Sequence, residues 1–182
     1  KGLSLDQIVT LSTAQARALA TAQIRALSTG QIAALEVVDF DAMTNTQLRA
    51  LTTAQVRALS LEHVVSLNTA QVSSLNTDQI RALGVDQLEA WTESQISSLT
   101  VPQVKALSTA QLQALDGDQI SALTTAQFRA LSAAQINVLT QGQISSMEAQ
   151  DLRALSGAQV AAMSTSQIAA ITGDQMSALT TV

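Results

Sequence analysis

The sequence predicts an all-α repeat solenoid built from very short capped helices, one for every eight residues. Three observations lead to this prediction. An octapeptide, L-[ST]-x-x-Q-[IV]-x-A, runs through the chain without an insertion. Each copy starts with a helix-capping pattern, and each copy separates acidic from basic residues. The eight positions are labelled a to h, and Leu3 is the first residue at position a.

The composition favours a repeat array over an ordinary globular domain. The 182 residues are 47% hydrophobic but 2% aromatic and 13% charged, so a core must be aliphatic. The absence of cysteine excludes disulfides and thiolate metal sites. A net charge of −5 gives no overall attraction to nucleic acid, and no stretch is apolar for long enough to span a bilayer. We therefore expect neither nucleic-acid binding nor membrane insertion.

Two positions of the repeat form apolar columns. Position a is leucine in all but five of its 23 copies, and position f is apolar in all 22 of its copies. Position h is alanine or serine except at Thr10 and Val138, which indicates a close approach between chain segments. Eight residues carry an ideal α-helix about 80° beyond two turns, so a and f could not stay on one face of a continuous helix. A new short helix in each copy avoids this conflict.

The caps support the same interpretation. Position b is Ser, Thr, Asn, Asp or Gly in 20 of 23 copies and position e is Gln in 19 of 22, which is a capping box. Twelve of the 14 acids lie at b to e and eight of the nine bases lie at g, as the helix dipole favours. Each copy is predicted to form a helix of five or six residues with a bend at a and b. The glutamines are also expected to form an internal hydrogen-bonded ladder.

A longer period of 24 residues, or three octapeptides, is superimposed on the repeat. Helices this short are unstable alone and must stack on other turns. We interpret three helices as one turn of a triangular solenoid that covers residues 1–182 as a single unit. The alternative is that the period records duplication of a three-repeat block. Because the repeat is already running at Leu3 and stops within a copy at Val182, we expect a fragment of a longer protein.

The sequence offers no constellation of unlike groups for catalysis, so we predict a non-enzyme without catalytic, cofactor or metal residues. The single histidine, His63, occupies position e and is interpreted as a replacement for glutamine. Glu36, Asp39 and Asp41 could offer oxygen ligands to calcium, but no glycine-punctuated loop accompanies them. A solvated or capping role is favoured for these acids.

Regular spacing nevertheless creates candidate binding surfaces. A stripe of basic residues at g could bind an anionic polymer. Position g is also where the helix dipole favours a base, which is the alternative explanation. The stripe comprises Arg57, Arg81, Lys105, Arg129 and Arg153. The least regular series of repeats suggests a variable face with Phe40, Leu61, His63, Val85 and Trp91. For Trp91 the alternative is core packing, since it fills a leucine position. A column at c could order water or bind ice, and it comprises Thr29, Thr53, Thr77, Val101 and Thr125.

The copies LSTAQARAL, LTTAQVRAL and LTTAQFRAL resemble octapeptide arrays in long, repetitive bacterial proteins, many of them predicted to be exported or surface-associated. The resemblance covers the whole chain, implies an extracellular or bacterial cell-surface location, and transfers no functional residue. Our first hypothesis is a structural module, a spacer or stalk. The second is a binding solenoid that recognises a protein, an anionic polymer or a glycan through one face. Ice binding is a remote third, and the oligomeric state is left open.

Overall fold

The computed structural model describes residues 3–179, and the regular elements in that range are 22 α-helices of five to seven residues. Residue contacts divide the chain into two compact units, Lys1–Trp91 and Thr92–Val182. The helices of the first unit are α1 (Leu5–Val9), α2 (Thr13–Ala18), α3 (Thr21–Ala26), α4 (Thr29–Ala33), α5 (Val37–Asp41), α6 (Asn45–Ala50), α7 (Thr53–Arg57), α8 (Leu61–Ser66), α9 (Thr69–Ser74), α10 (Thr77–Ala82) and α11 (Val85–Glu89).

The second unit has the same design, with one helix in each octapeptide. Its helices are α12 (Glu93–Ser97), α13 (Val101–Ala106), α14 (Thr109–Ala114), α15 (Gly117–Ser121), α16 (Thr125–Ala130), α17 (Ala133–Asn137), α18 (Gln141–Ser146), α19 (Ala149–Ala154), α20 (Gly157–Ala161), α21 (Thr165–Ala169) and α22 (Gly173–Leu179). The predicted all-α fold of one short helix per repeat is confirmed.

Extended residues at a and b make the bend between many successive helices. Leu51, for example, has φ −58° and ψ 135°, and Thr52 has φ −73° and ψ 160°. Within the described range no residue has a positive φ. The bend therefore needs no glycine, and a large leucine can occupy it and turn its side chain into the core.

The core consists of the two columns that the repeat predicts. Most side chains at f are completely buried, as at Ile24, Leu48 and Ile136, and those at a from Leu35 to Met147 are buried as well. A residue at f lies near the end of its helix and the residue at a lies in the bend that follows. From α4 to α18, each helix and the bend that follows it thus contribute one side chain apiece to the apolar interior of their unit.

Helices stack on partners three positions away in the chain. Within each unit the packed pairs run from α1 with α4 to α8 with α11, and from α12 with α15 to α19 with α22. Three stacks of helices result, which confirms that the 24-residue period predicted from the sequence is the step between turns. Successive turns approach closely, because a Cβ added at Gly117 in α15 would lie 2.5 Å from Ser146 Oγ in α18. At this site the close approach is consistent with the small residue at position h, Ser146.

Glutamine at e joins the start of one helix to the end of another at many corners of the coil. Gln55 Oε1 accepts the Thr52 amide at 2.8 Å, which closes the capping box at the start of α7. Its Nε2 donates to Ile24 O at 2.8 Å and to Leu27 O at 2.7 Å, at the end of α3 one turn away. In the second unit, Gln143 Nε2 contacts Leu112 O and Leu115 O at 2.8 and 2.6 Å.

The glutamine bond therefore satisfies the unpaired groups of two helices at once. The first amides of one helix and the last carbonyls of another have no partner inside their own helices. Gln55 and Gln143 are almost completely buried, so these bonds form away from water. The interaction with position b does not need a side chain there, since the amides of Ala20 and Gly84 donate to glutamine Oε1 at 2.7 Å. The predicted glutamine ladder is confirmed.

We predict that Gln55→Ala lowers the free energy of unfolding by about 2 to 4 kcal/mol, because three hydrogen bonds are lost. Leu27 O is then left without a donor among the described residues, and Ile24 O keeps only the Leu27 amide. The matched control is Gln15→Ala in α2. Gln15 accepts the Ser12 amide at 2.8 Å but is exposed, and its Nε2 has no acceptor among the described residues. This control should lose about 0.5 to 1 kcal/mol, the value of a helix cap. Urea denaturation followed by circular dichroism measures both losses, and equal losses would contradict the ladder.

Candidate functional site

His63 reproduces the hydrogen bonds of the glutamine that it replaces. Its Nδ1 accepts the Ser60 amide at 3.2 Å and its Nε2 donates to Leu35 O at 2.9 Å. A peptide N–H can only donate and a carbonyl can only accept, so the fitting tautomer carries its proton on Nε2. The side chain is 2% exposed and lies edge-on to Phe40, with ring centroids 4.9 Å apart. The histidine is thus part of the framework.

Two repeats carry a reversed capping pair that the sequence reasoning did not notice. Glu36 at b accompanies Asp39 at e, and Glu148 at b accompanies Asp151 at e. Neither helix has a side-chain cap bond at b. Asp39 is 2% exposed, and its Oδ2 has no hydrogen-bond partner in the described part of the chain. In the sequence, the co-occurrence of glutamate at b with aspartate at e could have identified these two repeats as lacking the usual capping box.

The environment of Asp151 perturbs the pKa of its carboxyl group. Burial raises the pKa of Asp151 above its ordinary value of 3.8, and the negative charge of Glu148 raises it further, while the Thr125 hydroxyl lowers it. The hydroxyl belongs to α16, one turn away, and donates to Asp151 Oδ1 at 2.7 Å. Glutamine would offer a donor to the nearby helix end, whereas an ionised aspartate can only accept.

The structure divides the residues of the predicted variable face into interior and surface positions. Phe40, His63 and Trp91 are 0%, 2% and 3% exposed. Trp91 fills a leucine position, and its Nε1 donates to Val64 O at 3.1 Å. These three side chains pack and bond within the coil and offer no contact surface to a ligand.

Leu61 and Val85, the other two residues of that set, are exposed. Leu61 is 49% and Val85 37% exposed, and both occupy position c. They lie on α8 and α11, which stack on each other. The sequence reasoning missed Val38 and Val65, which are 60% and 43% exposed on α5 and α8 of the same stack. Apolar residues at the outward positions c, d and g were the signal that could have found them.

The basic stripe lies at the surface and also takes part in stacking. All five of its side chains are exposed, with Arg57 and Arg81 in the first unit and Lys105, Arg129 and Arg153 in the second. Arg57 Nε donates to Ala82 O, and Arg25 Nε donates to Ala50 O, at 3.3 and 3.4 Å. Arg57 and Arg25 thus each contact the last carbonyl of the next helix in their stack, a contact that the helix dipole favours.

Shallow grooves separate stacked arginines in the first unit. One groove lies between Arg25 and Arg49 and includes Asn76, Thr21 and Thr46 in its walls. Arg57 and Arg81 line another, but Asp78 also lines it and forms an exposed ion pair of 3.4 Å with Arg81. The groove between Arg25 and Arg49, which the predicted stripe does not include, is thus the more positive of the two.

The threonine column is less uniform than its spacing suggests. Thr29, Thr53 and Val101 are exposed, but Thr77 and Thr125 are partly buried. The Thr125 hydroxyl is already donated to Asp151. Ice or ordered-water binding through this column stays a prediction.

Residues 3–179 contain no group of three or more histidine, cysteine or carboxylate side chains placed to hold a metal ion. The acids considered for calcium are separated by burial, because Glu36 and Asp41 are exposed whereas Asp39 is inside. None of the helices in this range is long and apolar enough to cross a membrane.

The fold and its repeated hydrogen bonds define the class of protein, an all-helical repeat solenoid. Within that class, the chain belongs to the ALTTAQ repeat family, whose pattern matches six successive segments: residues 1–37, 32–69, 64–93, 94–125, 121–148 and 144–181. A comparison with curated proteins finds no match. The family and the fold point to a non-enzyme.

The raised pKa of Asp151 predicts a pH-dependent stability. A carboxyl group whose pKa is higher in the folded than in the unfolded chain favours folding below about pH 3.8, and this contribution is lost as the pH rises through the folded pKa. Asp151→Gln removes the titration and restores a donor. It should therefore be more stable than the parent near pH 7, by about 1 to 2 kcal/mol for the regained hydrogen bonds.

Urea denaturation of the parent and of Asp151→Gln at several pH values between 3 and 7 measures this difference. Thr125→Val is the matched variant, because it removes the hydroxyl that stabilises the carboxylate and should steepen the loss of stability with pH. If the stability advantage of Asp151→Gln over the parent shrinks as the pH rises, the pKa of Asp151 is not raised in the folded chain and the prediction is wrong.

Proposed function

We propose that this chain is a structural repeat module, a spacer or stalk of a large bacterial surface or secreted protein, and that it performs no catalysis. The observation that supports this most strongly is the burial of most glutamine side chains at position e. The glutamine side chains at position e are buried from Gln47 onward and hold successive turns together, so they are not available for chemistry.

Evenly distributed bonding suits a spacer for a physical reason. In a repeat protein each unit contacts its neighbours, and stability is close to a sum of local terms. Most turns here add aliphatic side chains at the same positions and the same corner bonds, as Gln79 and Gln159 illustrate in the two units. Whole turns can thus be added to or removed from the module without changing the contacts within the remaining turns. A bacterial surface or secreted location is part of the proposal and rests on the octapeptide resemblance.

A spacer requires that folded length follows the number of repeats, and the first unit allows this to be measured. The chain has no cysteine, so Ala14→Cys and Asp86→Cys would place two spin labels at exposed positions of α2 and α11, three turns apart in one stack. Deletion of residues 44–67 removes three octapeptides. Pulsed electron resonance should then report a distance shorter by one helix layer, roughly 8 to 10 Å.

The control deletion removes residues 44–63, which is two and a half octapeptides and shifts the apolar columns out of register. This variant should lose a substantial part of its helical circular dichroism, from the repeats around the deletion. An unchanged label distance after the 24-residue deletion, or a loss of helical signal as large as in the control, would contradict a modular spacer.

A second candidate function is binding of an anionic polymer along stacked bases, and the groove between Arg25 and Arg49 favours it. The helices of that stack, α3, α6 and α9, carry two arginines and no acid. Two guanidinium groups on adjacent layers could engage successive charged groups of a polysaccharide.

Titration of the chain with heparin tests this second candidate. Arg25→Ala with Arg49→Ala should weaken binding at least tenfold, whereas Arg17→Ala with Arg57→Ala removes equal charge from two different stacks and should have less effect. Equal weakening by both pairs would indicate a general charge effect and no groove.

A further inference from the structure

One stack of the first unit has an outer surface unlike the other two. On α5, α8 and α11, four large aliphatic side chains are more than a third exposed: Val38, Leu61, Val65 and Val85. They occupy positions c, d and g, which elsewhere in the repeat hold threonine, alanine or charged residues most often. Because the three helices stack in order, these side chains lie on successive layers of one surface.

Acidic residues surround the aliphatic side chains in the same three repeats. All of them are exposed, and they are Glu36, Asp41, Glu62, Asp86 and Glu89. From 36 to 41, from 60 to 66 and from 84 to 89 the chain contains no lysine or arginine, and the one arginine in the helices of this stack, Arg17, lies on α2 at its first layer. We call the four aliphatic and five acidic residues together the acidic–apolar face.

The other stacks of the unit do not repeat this combination from layer to layer. Helix α1 exposes Leu5 and Val9 beside Asp6, but α4, α7 and α10, which stack on it in turn, expose no large aliphatic side chain. The stack of α3, α6 and α9 carries Arg25 and Arg49 without an acid, and the stack of α1, α4, α7 and α10 carries two acids and two arginines within its helices. A general requirement for solubility would distribute acids over all sides. Here the negative charge is concentrated where aliphatic side chains are exposed.

We propose that the acidic–apolar face is a docking surface for a cationic amphipathic helix of a partner protein. Exposed apolar side chains of this kind gain free energy when a partner removes them from water. The acids select a partner whose polar face carries lysine or arginine. This inference goes beyond the spacer role, because a spacer needs no partner on its side.

The spacing of the layers fits such an occupant. Stacked helices lie roughly 8 to 10 Å apart, and seven residues of an α-helix rise about 10.5 Å. Apolar residues at i, i+7 and i+14 of a partner helix that runs along the stack would therefore meet one layer each. The lysines or arginines between them would face Glu62 and Asp86, which flank Leu61 and Val85 in the chain.

Other occupants fit the charge less well. An anionic membrane surface would be repelled by five exposed carboxylates, and nucleic acid would be repelled for the same reason. A second copy of this chain could bring arginines such as Arg25 and Arg49, but those helices expose no comparable aliphatic side chains to match the face. Self-association is therefore the competing outcome that the experiment must separate.

The probe is a synthetic helical peptide of about 18 leucine and lysine residues, with leucine on one face; a scrambled peptide of the same composition is its control. Fluorescence anisotropy of the labelled peptide is measured against the full chain in about 0.15 M salt. We expect saturable binding of the patterned peptide that is at least tenfold tighter than binding of the scrambled one. Binding should weaken as salt increases.

Two variants of the chain separate the apolar from the charged contribution. Leu61→Thr with Val85→Thr installs the most frequent residue at c, so the fold is retained, and it should weaken peptide binding at least tenfold. Glu62→Ala with Asp86→Ala installs the most frequent residue at d and should weaken binding and reduce its salt dependence. Val101→Thr is the matched control at an equally exposed c position in the second unit, and it should bind like the parent.

Equal binding of the patterned and scrambled peptides would overturn the proposal, as would unchanged binding by Leu61→Thr with Val85→Thr or absence of saturable binding. Sedimentation velocity of the chain without peptide measures whether the chain self-associates, which is the competing outcome. A dimer that the Leu61→Thr, Val85→Thr variant abolishes would assign the face to a second copy of the chain and overturn the peptide as its occupant.

Discussion

The buried side-chain amide at position e is the interaction on which the rest of the structure depends. A helix of five or six residues has almost all of its backbone amides and carbonyls at an end, so it cannot satisfy them internally. Gln55 closes the start of α7 and the end of α3 at the same time. Removal of this side chain would leave polar groups of two turns unpaired inside the molecule, which is why position e tolerates few replacements.

The replacements that do occur show what the position requires. His63 succeeds because a ring nitrogen can accept on one side and another can donate on the other side, with the geometry of the glutamine amide. Asp39 and Asp151 offer oxygen at both ends, and each comes with glutamate at b in place of the usual cap. Buried Asp39 has an oxygen without a partner among the described residues, and the pKa of Asp151 is raised. These repeats are local departures that the surrounding turns tolerate.

Much of the fold could be predicted because each structural feature of the repeat unit recurs many times in the sequence. The capping box, the bend at a and b, the aliphatic columns and the three-helix turn all follow from positions that recur at fixed spacing. The surfaces were harder to predict. Phe40 and Trp91 stand out by residue type, yet they occupy f and a, which are interior positions; Leu61 and Val85 occupy c, which is exposed. Contacts between turns, such as Arg57 with Ala82 O, connect residues that no local pattern links.

Side-chain amide hydrogen exchange of the glutamines, measured by nuclear magnetic resonance, tests the central claim most directly. We expect strong protection for Gln55, Gln79 and Gln143, whose Nε2 atoms donate to buried carbonyls one turn away. The exposed amides of Gln15 and Gln23 in the same repeat position should exchange fast. Equal, rapid exchange at all of these glutamines would contradict the conclusion that the amides hold the turns together.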